Sequence, residues 1–345
     1  LTGAAVIAAG AAAPASPQRW LARLAWLLVA AGIALLAWAA WGPWRDAPAP
    51  YRYRVTDEGD AGRFAALGLQ GFDALQLQRV ELRADGIDQA LAVGHVARRA
   101  GGAPVMVDWE NASGEPLVHV DTRAAELAGL AQAVREHTPE DSLLLAWWDT
   151  ARALALLTGR RTPFDAWFGE PFIAPSPWLA RRSSIETAER GFWGAAPSQP
   201  QAREFRRFAE ALASDERTGA QALRELAGGR EAFVVVHVSD LFKLGRMLPQ
   251  QLGVATKDFP LRGDLHGPIV FVKRWMQEQQ WSGYTVHEPS DRIARATFVT
   301  DARSAQTLLA RLLPLTSSAP LEMRDPVLVH QQGGYWVYRI PPSAP

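Results

Sequence analysis

The chain has 345 residues, with 36 basic and 36 acidic side chains and a formal net charge of zero. That balance excludes a nucleic-acid binder held by phosphate contacts, which needs a basic excess. The absence of cysteine excludes disulfides, thiolate metal sites, covalently attached c-type haem and a cysteine nucleophile.

Residues 1–19 open on an Ala- and Gly-rich run and are expected to form a cytoplasmic tail. Leu24 to Trp41 is a run of 18 apolar residues, the length that crosses a hydrocarbon core. Five of the 14 tryptophans fall between Trp20 and Trp44, and Trp20, Trp41 and Trp44 flank the run like an aromatic belt. Arg19 and Arg23 precede it. The positive-inside rule then predicts one transmembrane helix over 20–41, with the N-terminus cytoplasmic. The expected location is a bacterial inner membrane, single-pass, with the main domain periplasmic; a cleaved signal peptide is the competing reading. Residues 42–50 form a stiff Pro-rich linker. Beyond it the expected parts are the first part of an exported α/β region over 51–120 and a main α/β domain over 121–345.

Strand patterns are predicted at Tyr51–Val55, Ala74–Leu82, Pro104–Trp109 and Pro116–Val120, and a helix at Gly86–Ala100. Thr122 to His137 reads as an amphipathic helix, with Leu127, Leu130, Ala131 and Val134 on one stripe. Ser142 to Ala146 reads as a buried strand running through Trp147, Trp148 and Asp149 into a helix over Ala151–Leu157. An aromatic-rich excursion from Thr162 to Pro200 is expected to pack over that corner. Helices at Ala202–Ala213 and Thr218–Ala227 precede a second buried strand, Glu231–Val238, with Asp240 opening the next helix. Strands at Ser282–His287 and Ile293–Thr300, a helix over Asp301–Leu313, and a hairpin of Val327–His330 with Tyr335–Ile340 around Gly333-Gly334 complete the chain. The alternation predicts a mixed α/β sheet domain with helical crossovers, behind one N-terminal transmembrane helix, closed by a C-terminal β-hairpin.

Two places carry candidate chemistry. Open α/β sheets build sites at the carboxyl ends of strands, where Trp147-Trp148-Asp149 falls. Alternation sends the tryptophans to opposite faces, one into the core and one toward a pocket, and Asp149 stands where a helix N-cap would. Asp240, Lys243 and Met247 recur at i, i+3 and i+7, on one helix face. The plainer reading of each is fold alone: a core Trp pair and a cap, an N-cap acid, a surface lysine and a core methionine. The seven histidines show no i, i+3 or i+4 pair, so no metal site is read, although His237 lies beside Asp240. No phosphate loop, nucleophile elbow or dinucleotide fingerprint is present, and no cofactor is expected.

Trp147-Trp148-Asp149 resembles the Trp-Trp-Asp-Tyr-Gly motif of the soluble domain of oligosaccharyltransferase catalytic subunits. Asp240, Lys243 and Met247 resemble that family's later Asp-x-x-Lys-x-x-x-Met helix motif. The resemblance implies that Trp147, Trp148, Asp149, Asp240, Lys243 and Met247 line one binding pocket, which in that family holds the acceptor peptide. Thr150-Ala151 departs from Tyr-Gly, and the many-helix catalytic domain has no counterpart. A second resemblance spans the whole length: an N-terminal apolar run, an α/β domain of this size, Leu-Ala-Trp-Trp-Asp-Thr and then Leu-Thr-Gly-Arg. This layout resembles the HaoB family, accessory to hydroxylamine oxidation. It implies a membrane-anchored periplasmic accessory protein, not an enzyme. Its partners would be the inner membrane through one helix and a protein or peptide, with hydroxylamine oxidoreductase the candidate. The alternative is a glycosyltransferase-related protein lacking the catalytic membrane domain.

Overall fold

The computed structural model describes residues 26–35, 47–112, 115–261 and 266–342. The chain divides into two compact units, Leu1–Pro48 and Ala49–Pro345. In the first, residues 26–35 form a helix, α1. Among the described residues no helix is long and apolar enough to cross a membrane. That finding overturns the expected transmembrane helix, and with it the single-pass inner-membrane location, the periplasmic placement and the membrane as partner. The described part of the apolar run supplies only ten helical residues. Residues 1–25 and 36–46, with the expected tail and part of the linker, lie outside the described residues.

The second unit begins with an antiparallel meander, β1 (Tyr51–Asp60), β2 (Gln76–Ala84), β3 (Ala92–Arg98) and β4 (Val105–Asn111), in spatial order β1-β2-β3-β4. The helix expected at Gly86–Ala100 is absent; that stretch is a turn and β3. Ala92, Gly94, Val96 and Ala97 are buried while Val93 and His95 are half-buried, a largely period-two pattern that a helical reading misses. Pro116–Val120 forms only an isolated bridge between Leu117 and His119.

A mixed sheet follows, in order β10-β11-β6-β5. Its strands are β5 (Leu143–Ala146), β6 (Ala232–His237), β10 (Val327–Gln332) and β11 (Tyr335–Ile340). β5 and β6 are parallel, while β11 pairs antiparallel with both β6 and β10. Every residue of β5 and β6 is buried, as sheets covered on both faces require. A parallel pair needs a crossover. Here it runs through α3 (Trp148–Thr158), α4 (Arg182–Trp193), α5 (Gln199–Ala213) and α6 (Glu216–Ala227). α5 starts on a capping box between Ser198 and Gln201, and α6 on Asp215, whose carboxylate accepts from the Arg217 and Thr218 amides. Earlier, α2 (Ala124–His137) buries Leu127, Leu130, Ala131 and Val134 in the expected stripe. After β6 comes α7 (Asp240–Met247).

A third sheet, order β7-β9-β8, consists of β7 (Val254–Pro260), β8 (Gly283–Ser290) and β9 (Ile293–Val299). With α8 (His266–Gln279) it encloses a small core of its own around Val272, Tyr284, Ala296 and Phe298. The helix expected over Asp301–Leu313 is shorter: a 3-10 turn at Ser304–Gln306 and then α9 (Leu308–Leu312). The mixed α/β sheet, the helical crossover and the C-terminal hairpin are thus all in the structure.

Candidate functional site

β5 and β6 are parallel neighbours, so their carboxyl ends deliver α3 and α7 side by side. Asp149 lies in the first turn of α3, Asp240 and Lys243 on α7. Lys243 Nζ donates to Asp149 Oδ1 at 3.0 Å, lies 2.8 Å from its Oδ2, and is 3.1 Å from Asp240 Oδ1. Two segments 94 residues apart therefore meet in one ion cluster. Its side chains are only 5% (Lys243), 12% (Asp149) and 2% (Asp240) exposed. Burial opposes the Lys243 charge, but the two carboxylates outweigh it and hold the ammonium above its usual range. Burial also pushes the Asp240 carboxyl up, against the pull of Lys243. Asp240 Oδ2 accepts the His237 amide at 2.8 Å, tying the end of β6 to the start of α7.

The tryptophans depart from strand alternation because β5 stops at Ala146 and Trp148 already opens α3. Both indole N–H groups consequently donate to one acceptor, the Glu170 carbonyl, which pins the aromatic-rich excursion over this corner. Trp147 packs edge-on against Phe205, with Lys243 Nζ 5.9 Å from its ring centre, and Trp148 lies against Trp167. Trp147, not Asp149, occupies the N-cap position, and Asp149 Oδ1 instead accepts the Thr150 amide. Met247 ends α7, half-buried against the main core.

Beside the ion cluster opens a cleft of about 240 Å³. His237, His287, Arg123, Glu126, Gln331 and Trp336 are among its walls. The His237 and His287 rings stand 6.0 Å apart. His237 is buried and His287 half-buried, and loss of solvation, more than the nearby cations, pushes both down: His237 well below its ordinary value, with His287 and Lys243 adding to the shift, and His287 to about 3, with Arg295 adding. His237 Nδ1 lies 2.7 Å from Ser239 Oγ and 3.2 Å from the Ser239 amide nitrogen. His287 Nδ1 is buried with no hydrogen-bond partner. One wall carries a second ion cluster: Arg295 bonds both Asp258 oxygens (2.7 and 2.8 Å) and Asp121 Oδ2 (2.7 Å). Sequence reasoning missed that cluster and His287, since four separate elements bring these groups together. Among the described residues no group of three or more His, Cys, Asp or Glu side chains could hold a metal.

The hairpin turn between β10 and β11 closes one edge of the cleft. Glu126 Oε2 accepts the Gly334 amide at 3.1 Å, and the Gly334 carbonyl accepts the Val238 amide at 3.1 Å. A Cβ on Gly334 would stand 2.3 Å from His237 Nε2, so only glycine lets the turn come this close. Gly334→Ala should therefore destabilise the protein by about 1–3 kcal/mol, read as a lowered urea midpoint at unchanged m-value. A midpoint equal to wild type would mean that the turn does not seat on His237.

Fold and site together define a mixed α/β domain in which the acids and lysine at the ends of β5 and β6 are neutralised by one another. The chain belongs to the family described as HaoA-associated protein HaoB, whose family model matches residues 17–340. No curated protein matches the chain. The whole-length resemblance is thereby shown, whereas the oligosaccharyltransferase likeness gains no support from this match. The expectation of a membrane-anchored accessory protein is corrected for want of a spanning helix among the described residues. In that one respect the alternative, which lacks a membrane domain, agrees better with the fold.

Proposed function

We propose that this protein acts by binding rather than by catalysis, and that the protein it associates with is HaoA. The family description supports the association. The reading rests chiefly on one observation: the acids and lysine at the carboxyl ends of β5 and β6 are engaged with each other, while the cleft beside them stands open. Trp147, Trp148, Asp149, Asp240, Lys243 and Met247 then serve binding from beneath, holding the two strand ends and the cleft wall in register. Arg123, Glu126, Gln331 and half-buried Trp336 offer a partner segment both charges, amide hydrogen bonds and one large aromatic contact. Aromatic and arginine contacts of this kind dominate binding energy at protein interfaces.

Titration of purified HaoA against the immobilised chain tests this. Saturable binding is expected, with Trp336→Ala weakening it about tenfold or more at a temperature where circular dichroism shows the variant folded. Absence of binding would remove HaoA as partner. Equal affinity of the folded variant would remove the cleft as its contact.

A further inference from the structure

A second constellation lies away from this cleft, between β1, α4 and the 167–174 loop. Ile185, Glu189 and Trp193 follow each other at i, i+4 and i+8 on the buried side of α4, so a carboxylic acid interrupts an apolar stripe. Glu189 is 2% exposed. Its Oε1 accepts from both Tyr51 (2.6 Å) and Tyr53 (2.7 Å). Burial first, and Glu189 second, push both phenols up, so they stay protonated donors. Tyr53 in turn accepts from Trp193 Nε1 at 3.1 Å. The second oxygen, Oε2, is equally buried and has no hydrogen-bond partner; His119 Nε2 is 3.6 Å away.

Glu189 helps to line a cavity of about 20 Å³, whose other walls include Tyr51, Trp148, Trp167 and Phe172. That volume admits one occupant of roughly water size. The walls are mainly aromatic and aliphatic, and besides Glu189 they include His119 and Trp167, whose indole Nε1 is buried with no hydrogen-bond partner. A carboxylate with a spare oxygen, ringed by aromatic side chains, suits a small cation carrying N–H donors. Among the described residues no lysine or arginine pairs with Glu189; its ion-pair partner is His119, also in the cavity wall, which carries charge only when protonated. Arg182, near the rim, lies over Phe172 and pairs with Glu186 and Glu170. Arg152, behind Trp148, donates to the Trp193 and Pro104 carbonyls. Gly169 and Ala174 are only half-buried and stand at the mouth.

We propose that this cavity binds a single ammonium ion, or the protonated head of a primary amine, on Glu189 Oε2 within the aromatic walls. The site is independent of the HaoA cleft, and its occupancy is measurable without any partner. The test is thermal unfolding of the full chain at pH 7.5 in ammonium chloride, against sodium, potassium and tetramethylammonium chlorides at matched ionic strength. Ammonium alone should raise the melting temperature saturably, by about 5 °C at a hundredfold excess over its dissociation constant. Tetramethylammonium is too large to enter, and Glu189→Gln should abolish the ammonium response. If Glu189→Gln does not fold, equilibrium dialysis of the wild type with ¹⁵N-ammonium, competed by methylammonium but not by potassium, decides the matter. An equal response to potassium or tetramethylammonium, no response beyond sodium, or an undiminished response in folded Glu189→Gln overturns the assignment.

Discussion

Lys243→Met should cost about 3–5 kcal/mol of folding stability at pH 8, because it strands buried carboxylates without their counter-charge. Domains of this kind are stable by only about 5–15 kcal/mol, so the loss will dominate an unfolding curve. Lys243 is the common partner of Asp149 and Asp240, at 2.8 and 3.1 Å. Without it, the burial that already pushes the Asp240 carboxyl up loses its main opposing charge. A protein whose unfolded state binds fewer protons than its native state loses folding stability as pH rises. The defect should therefore shrink between pH 8 and pH 5, and Lys243→Met combined with Asp149→Asn and Asp240→Asn should recover much of it. Urea titrations of the three proteins at both pH values measure this. A penalty below about 1 kcal/mol, the size of a surface ion pair, would show that the cluster is hydrated rather than sealed.

Acid should loosen the same region through its histidines. His237 and His287 are both neutral when folded, with values pushed below the ordinary 6.5, and His287 reaches about 3. Between the folded and unfolded values the unfolded chain binds more protons, so stability falls as pH drops below about 6.5. His287 contributes up to about 1.4 kcal/mol per pH unit between pH 6 and pH 4, and His237 adds in the same sense. The groups around them are Lys243, Arg295, Asp240, Asp121, Glu126, Glu288 and Tyr335. Asp121 and Asp240 are pushed up by burial and act in the opposite sense within their own range. Comparing His287→Leu with wild type removes those shared contributions. The variant should lose about 1.4 kcal/mol less per pH unit below pH 6. Parallel pH profiles for the two proteins would mean that His287 is solvated and titrates normally.

Much of the architecture is legible in the chain because it follows from local pattern. β6 announces itself through Phe233-Val234-Val235-Val236, and α2 through its apolar stripe. The terminal hairpin is marked by Gly333-Gly334. β3 is misread because its small and polar residues satisfy a helical period as well as a strand's. The apolar run misleads for another reason: composition shows that a segment could enter a bilayer, not that it folds into a helix long enough to cross one.

For the candidate site, the sequence by itself determined which residues carry charge and which stripe each occupies: Asp149 after one buried strand, Asp240 and Lys243 after another. It also determined that no thiol chemistry is available. Only the tertiary structure decided that β5 and β6 are parallel neighbours, that Lys243 therefore spans both acids, and that the three are enclosed while a cleft opens beside them. The same holds for Glu189, which meets tyrosines 138 and 136 residues away. Spacing along a chain fixes the face on which a side chain lies, whereas its partner and its access to water depend on which distant element packs against that face.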